Sequence, residues 1–534
     1  MIRRLELANV RIFEGSGWGF DLRPLTVFCG ANSAGKSTLL KIPLLLQQTQ
    51  NQTQGRDGRL YLAGSAVDFG DYCTFVSHGD VTKKLGISIT TDVPISSATI
   101  DALRRGRGSR KKPGAEPAEN IVKPGELRSE FTFSLSKPKS EARGGKSAED
   151  SDGSGLVAIL DTASFQVITE STELLHWKVV RVEEKVAASD EYEITLPADY
   201  FRQVGGFRFM SVEKQGTEVR FTATLDGVLP FTIMGNAKRR GSGEGKQGEK
   251  VTLEAQEIQA PLPPLIQQAL WSLQEALNNT SYLGPLRSPA KRFYVAHLEA
   301  SGDLDPTGEF LPYVLRDRAR DRVVNVLPGP GKKIVRQTLE EALNVWVHYL
   351  RTGESLPTSE PSAEVLLSTT KQVLVQISIK SPSGSEGYAL ADSGVGYSQV
   401  LPILVRGLLA DEGSTFIVEQ PELHLNPSLQ VRLAEFFVSM VRGGKQVLVE
   451  THSEHIVNAI RVLTAEDESG ELSERSRIYF IDTSAARPVV RELSVKKDGT
   501  IPDWPRHFFG EAVELTGRLL RAQKRFRSSA SVPK

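Results

Sequence analysis

The stretch GANSAGKS, residues 30–37, directly follows the apolar run LTVFC and constrains this chain more than any other segment. It fits G-x-x-x-x-G-K-[ST], a pattern that has meaning only between a strand and a helix. Gly30 and Gly35 let the backbone curl without a Cβ clash, so successive amides point inward at phosphate oxygens. A helix starting near Gly35 adds its positive end. Lys36 then reaches β- and γ-phosphates, and Ser37 offers a hydroxyl to Mg2+. The candidate nucleotide-binding residues are therefore Gly30, Ala31, Asn32, Ser33, Ala34, Gly35, Lys36, Ser37 and Thr38. The rival reading, a chance glycine-rich turn, is disfavoured by the correct flanking elements.

A second strand, TFIVE, delivers Glu419 to a sheet edge, where it is placed to hold Mg2+ through water. Gln420 follows, where an acid that activates water would be most useful. Glutamine orients water but cannot accept its proton, and general-base catalysis is worth roughly 100- to 10,000-fold. A slow hydrolase is expected. Glu422 is either a proton acceptor, with the γ-phosphate as its rival, or an exposed loop acid. His424 reads equally as a loop hydrogen-bonder or a contact to a partner. The strand QVLVE leads to ETHSEH, which sends His452 towards the γ-phosphate to sense it and hold the attacking water. Zinc at His452 and His455 is disfavoured, since the spacing needs a helical turn and further ligands. DSGVGYSQ places Ser393, Gly394 and Gly396 just before a helix as a second amide-rich anion site. One chain rarely needs two such sites for one triphosphate, so this one is expected to cap the nucleotide of another copy.

The rest of the chain frames these motifs. Its 534 residues exceed one core, so two or three lobes are expected. Lys plus Arg and Asp plus Glu are 65 each, which marks no global nucleic-acid or membrane field. Cys29 and Cys73 alone build no disulfide framework, and no apolar run suits a signal or a membrane span, so a cytoplasmic setting is expected. Strands are predicted within 2–29, a helix over 36–48 that Pro43 kinks or shortens, and a β-rich stretch over 61–100. The tract from RRGRGSRKKPGAEPAEN to about 155 has little to bury and reads as a mobile insertion, as does 236–250. Between them 156–234 alternates in short strands. Helices are predicted over 264–279, 334–351, 398–410 and 427–441, and strands over 373–379, 415–419 and 446–450. The alternation in the last third calls for a parallel sheet with helical crossovers. DNA is a candidate partner through the basic runs 104–112 and 518–527, each of which reads as well as a solvated surface.

With these motifs in order, the chain resembles the non-transporter branch of the ABC-class P-loop ATPases, that of RecF, the SMC proteins and the OLD-like ATPases. IRRLELANVRIF, YLGPLRSPAKRFY at 282–294, DSGVGYSQVLP, FIVEQPELHLNPSLQ and VETHSEH carry the resemblance, over residues 1 to about 80 and about 280 to 490. The fold class it implies is α/β: an ABC-type ATPase head, a P-loop sheet with helical crossovers and an N-terminal β lobe, interrupted by a β-rich, partly disordered insertion. The implied boundaries are 1–98 for the N-terminal lobe, 99–260 for the insertion and 261–390 for a helical linking region. The C-terminal lobe is 391–490 and an extension 491–534. The resemblance implies ATP and Mg2+, with Lys36 on phosphate and Ser37 and Glu419 at the metal. It implies a head-to-tail dimer in which Ser393, Gly394 and Gly396 contact the other copy's nucleotide, with Asn426 in an interface turn. His452 becomes the switch histidine, and Arg11 and Phe13 approach the base or ribose. RIYFID and DGTIPDWPRHFFGEAVEL resemble a short C-terminal domain of unknown function, and no nuclease domain of the Toprim type is expected. The expected role is a nucleotide-gated ATPase of prokaryotic genome maintenance or anti-phage defence beside a separately encoded effector. The alternative is a nearly inactive scaffold that regulates a partner nuclease or toxin.

Overall fold

The computed structural model describes residues 1–52, 58–100, 121–136, 156–182, 191–198, 200, 214–215, 218–238, 255–295, 304–329, 333–355, 365–370, 374–380, 387–393, 395–483, 487–502, 504, 515 and 517–523. Its contacts divide the chain into two units. The first is Met1–Leu22 with Ser37–Ser281, and the second is Arg23–Lys36 with Tyr282–Lys534.

The first unit is built on an 11-stranded sheet whose pairings are antiparallel. One sheet carries the N-terminal strands Ile2–Ala8 and Leu85–Ser96 together with Val122–Ser136, Val157–Thr169, Thr172–Val182, Glu191–Pro197 and Glu218–Asp226. Period-two alternation explains it: Leu127, Phe131, Phe133, Phe165, Trp177 and Ile194 are buried, with polar residues between them. Phe165 stacks on Trp177 at 5.1 Å and meets Phe131 edge-on at 5.8 Å, so aromatic pairs cross three strands.

The strand Val122–Ser136 corrects the reading of the tract up to 155. Its alternation, SEFTFSL, is short and set among Gly, Lys and Ser, so composition concealed a segment that pairs on both sides. The flanks 101–120 and 137–155 lie outside the described residues, as do the basic run 104–112, residues 239–250 and 524–527. Over 61–84 the β-rich expectation also fails, apart from isolated bridges between Ala63 and Asp68 and between Val10 and Val76. A short helix Tyr72–Phe75, capped by Asp71, occupies that stretch, and only Leu85–Ser96 is a long strand. Pro43 does not shorten its helix, which runs Lys36–Asn51. Leu39, Leu40, Ile42, Leu44, Leu45 and Leu46 are buried along it. Gln48 at its far end donates to the Tyr61 carbonyl and accepts from the amides of Ala66 and Val67. Packing and end anchoring offset the one backbone bond that proline forfeits.

In the second unit a six-stranded sheet runs in the order Thr280–Leu283, Thr415–Glu419, Gln446–Glu450, Leu25–Gly30, Ser476–Asp482, Val489–Leu493. The middle four are parallel, as expected. TFIVE and QVLVE are buried at every position, the mark of strands covered on both faces. Their crossover helices, Pro427–Arg442 and Glu454–Ala465, start on the side-chain caps Asn426 and Ser453. Parallel pairing brings Gly30, Glu419 and Glu450 to the same carboxyl edge.

The predicted helix over 334–351 begins later, because Ile334–Thr338 is a strand paired with Arg322–Val326. Thr338 and Glu341 form a reciprocal capping box that starts Leu339–Thr352. Trp346 anchors that helix: its ring meets Phe436 edge-on at 5.0 Å and its indole donates to Asn325 at 2.8 Å. Trp346→Ala is expected to destabilise the second unit by about 3–5 kcal/mol. Exposed Trp271→Ala should stay within about 0.5 kcal/mol. Denaturant midpoints of the two variants against the parent check this.

Candidate functional site

The phosphate loop has the backbone that its sequence demands. Gly30 sits at φ 135°, and a Cβ there would stand 2.1 Å from the Ile481 carbonyl oxygen of the neighbouring strand. Ser33 and Gly35 also take left-handed conformations, at φ 60° and 73°. Lys36 ends the portion of the loop in the second unit, and its ammonium folds back to donate to Ala31 O at 2.6 Å and Gly30 O at 3.2 Å. It is 3% exposed. Burial pushes its pKa down, and Glu450, then Cys29, Glu422 and Glu419, oppose that shift.

Two carboxylates stand side by side at this edge. The register pairs Glu419 with Glu450, so their side chains leave the sheet on the same face. Both are 3% exposed. Glu450 Oε1 lies 3.8 Å from Lys36 Nζ, and Glu419 accepts from the Tyr282 hydroxyl at 3.1 Å. Sequence reasoning missed Glu450. A signal was present: TFIVE and QVLVE are strands of equal length with the same last residue, and aligning them end to end places the acids together.

Arg287 was missed as well. It lies in YLGPLR, donates to the Glu419 main-chain carbonyl at 3.0 Å and is 5% exposed. Burial lowers its pKa to about 10, against Glu422, Tyr282 and Glu419. Among the described residues its Nε and Nη1 are buried without a hydrogen-bond partner.

Gln420 turns the chain at φ 43°, its amide donating to Glu450 O at 2.7 Å. Glu422 is no exposed loop acid. Its carboxylate accepts from Thr451 Oγ1 at 2.8 Å and from the His452 amide at 2.6 Å, which ties the 419–422 turn to the start of the histidine loop. Burial raises its pKa, opposed by these bonds and by Arg287. His452 is brought to the loop: burial and then the Lys36 charge lower its pKa, and a hydrogen bond to the Gly30 backbone opposes them. His424 is exposed, and Asn426 is a helix cap that accepts from the Leu429 amide.

Ser393 closes a short 3-10 turn, its hydroxyl donating to Leu390 O at 2.6 Å. Gly394 lies outside the described residues. Gly396 is inside the helix Val395–Leu409, and a Cβ there would meet its nearest neighbours only at 3.7 Å. In the first unit Ser37 and Thr38 continue the chain from Lys36 into the helix. Arg11 donates to Thr38 Oγ1 at 3.2 Å and lies over the Phe69 ring at 5.0 Å. Phe13 corrects an expectation. It is fully buried and packs edge-on against Trp18 and Phe20, leaving no face for a base.

A strand ending in a glycine-rich loop, a buried lysine beside it and a carboxylate at the end of a parallel strand is the arrangement expected of a P-loop. Residues 338–457 match the family model described as AAA ATPase domain, a span that holds Glu419, Gln420, Glu422, Glu450 and His452. No curated protein matches the chain. Solved structures similar to it include an SMC head bound to the C-terminal winged-helix domain of ScpA, at 11% identity, TM-score 0.36, covering 93% of this chain and 98% of that one. The SMC head domain from Thermotoga maritima gives 7%, 0.34, 92% and 99%. An SMC head with an extended coiled coil, bound to the C-terminal domain of ScpA derived from Pyrococcus furiosus, gives 10%, 0.33, 97% and 99%. These likenesses are too weak to carry a fold or a function. Among the described residues no helix is long and apolar enough to cross a membrane.

The site sets the charge of His452. Well above the ordinary histidine range the imidazole is neutral in folded and unfolded chain alike. As pH falls through that range the unfolded chain takes a proton first, so this group's contribution to stability drains away through the depressed folded pKa. Lys36→Ala removes a neighbouring positive charge, and His452 is expected to titrate at higher pH in that variant. Nitrogen NMR of labelled histidines, assigned with His452→Gln, reads the midpoint.

Proposed function

We propose that this chain binds ATP with Mg2+ at residues 30–38 and hydrolyses it as an ABC-class ATPase. The observation that carries the reading is the buried Lys36 ammonium at a phosphate loop, beside the carboxylates of Glu419 and Glu450. A lysine held this way has no use in the free protein that an apolar residue would not serve better, since its desolvation is costly. A triphosphate in the cradle adds negative charge to that of the nearby Glu450 carboxylate, 3.8 Å from the ammonium. Glu419 is the carboxylate for Mg2+, with Ser37 as the hydroxyl that the motif provides next to Lys36. Bound Mg2+ neutralises charge on the β- and γ-phosphates.

The residues divide the work. Lys36 leaves Ala31 O and Gly30 O for phosphate oxygens. Arg287 fixes the carbonyl of Glu419, and so the direction in which its strand ends. Glu422 holds Thr451 and His452 in register with that strand, and neutral His452 offers a hydrogen bond to water or phosphate. Gly396 supports a contact in trans. A glycine inside a helix costs about 1 kcal/mol relative to alanine, and here the chain itself leaves room for a Cβ, so a close approach by another molecule explains it. In this reading Ser393, Gly394 and Gly396 of one copy meet the nucleotide of a second in a head-to-tail dimer. ATP closes the dimer and release of products reopens it. A role in prokaryotic genome maintenance or anti-phage defence, with a separately encoded effector, completes the proposal.

One observation favours a second reading. Gln420 cannot take a proton, which suits a nucleotide-held scaffold that licenses a partner nuclease or toxin. Steady-state phosphate release separates the two. Lys36→Ala is expected to weaken ATP binding at least about tenfold and to lower turnover about 100-fold or more. Measurable binding with turnover equal to that of the variant would favour the scaffold.

A further inference from the structure

We propose that Glu450 is a catalytic residue of this site, the proton acceptor for the attacking water, in place of the acid missing at position 420. The inference rests on the ATP-hydrolysis reading above and deepens it.

Three carboxylates come together at the carboxyl edge of the parallel strands, and their positions there differ. Glu419 accepts from the Tyr282 hydroxyl and is the metal candidate. Glu422 spends both oxygens on Thr451 and the His452 amide, so its lone pairs hold a loop in place. Glu450 is the third. In register with Glu419 on the adjacent strand, it projects to the same side and lies 3.8 Å from the lysine that would grip the γ-phosphate. That distance is too long for a hydrogen bond, so Lys36 can move to phosphate without breaking one. Gln420, by contrast, sits where the chain has already turned, at φ 43°, with its amide anchored on the Glu450 carbonyl. The same hydrogen bond that positions the glutamine fixes the backbone of the acid.

Electrostatics sharpens the point. A carboxylate beside a γ-phosphate is repelled unless something positive or a shared proton lies between them. The Lys36 ammonium supplies the positive charge, and a water between Glu450 and the γ-phosphate donates one proton to the carboxylate and turns its oxygen to phosphorus. In the step itself the water oxygen bonds to γ-phosphorus as its proton passes to Glu450. The bond from γ-phosphorus to the β–γ bridging oxygen breaks, and its electron pair leaves with ADP. Glu450 then gives the proton to solvent, and inorganic phosphate departs. Gln420 and His452 are left the task of orienting the water, which needs hydrogen bonds and no proton affinity.

The test compares the full chain with its Glu450→Gln variant, which keeps shape and hydrogen-bonding capacity and loses only the ability to accept a proton. Phosphate release at saturating ATP and Mg2+ is expected to fall about 100-fold or more, while binding of a fluorescent ATP analogue stays within about threefold. A structural role would give the opposite pattern, with turnover retained and the melting temperature shifted. Turnover of Glu450→Gln within about threefold of the parent overturns the inference and leaves the ATPase reading intact. A parent that binds ATP and turns over no faster than Lys36→Ala also overturns it, because an acid placed to take the proton would be idle. A parent that fails to bind ATP removes the inference and the nucleotide reading together. Should Glu450→Gln not fold, Glu450→Asp withdraws the acid by one methylene; retained ATP binding with at least about tenfold slower release supports the assignment, and an unchanged rate contradicts it.

Discussion

Ionised side chains that have lost their water dominate this protein. Lys36, Glu419 and Glu450 are each 3% exposed, and Arg287 is 5% exposed. Burying any one alone would cost several kcal/mol. The sheet allows it by gathering both signs at one edge, two cations against two carboxylates, with Glu422 just beyond. Parallel pairing makes the gathering unavoidable, since strands that start together end together. The apolar strands beneath are continuous, and the polar side chains at this edge are few: the Tyr282 hydroxyl on Glu419 and the Thr451 hydroxyl on Glu422. Main chain supplies the other contacts: Lys36 on the carbonyls of Ala31 and Gly30, Arg287 on that of Glu419, Glu422 on the amide of His452.

Such an arrangement is stable and also poised. Lys36 and Glu450 face each other across 3.8 Å. Arg287 keeps two buried donors unmatched among the described residues. On the function proposed above, a phosphate entering the loop would change the charge balance at Lys36 first. Through Gly30 it reaches His452, and through Glu422 it reaches the 419–422 turn. Each link is a hydrogen bond or a neighbouring charge.

Much of this was legible because the signals were local. The phosphate loop carries its own spacing, and TFIVE and QVLVE announce buried strands by composition. Glu419 and His452 follow from where those strands end. Glu450 and Arg287 were harder, because their meaning arises from register and from a strand 132 positions away in sequence from Glu419. Phe13 was misjudged for the same reason: nothing nearby in sequence tells that Trp18 and Phe20 enclose it. The strand Val122–Ser136 was hidden by the polar composition around it, and Ile334–Thr338 by the helix that its own capping threonine begins. Local pattern fixes element type where a period runs long, and tertiary partners decide the rest.

A crystal structure of the full chain with a non-hydrolysable ATP analogue and Mg2+ addresses the central claim most directly. The account predicts the triphosphate cradled by the amides of residues 30–37, with Lys36 Nζ moved from Ala31 O to about 3 Å from β- and γ-phosphate oxygens. A nucleotide bound elsewhere, or a loop that holds the analogue while Lys36 stays on the Ala31 carbonyl, would contradict it.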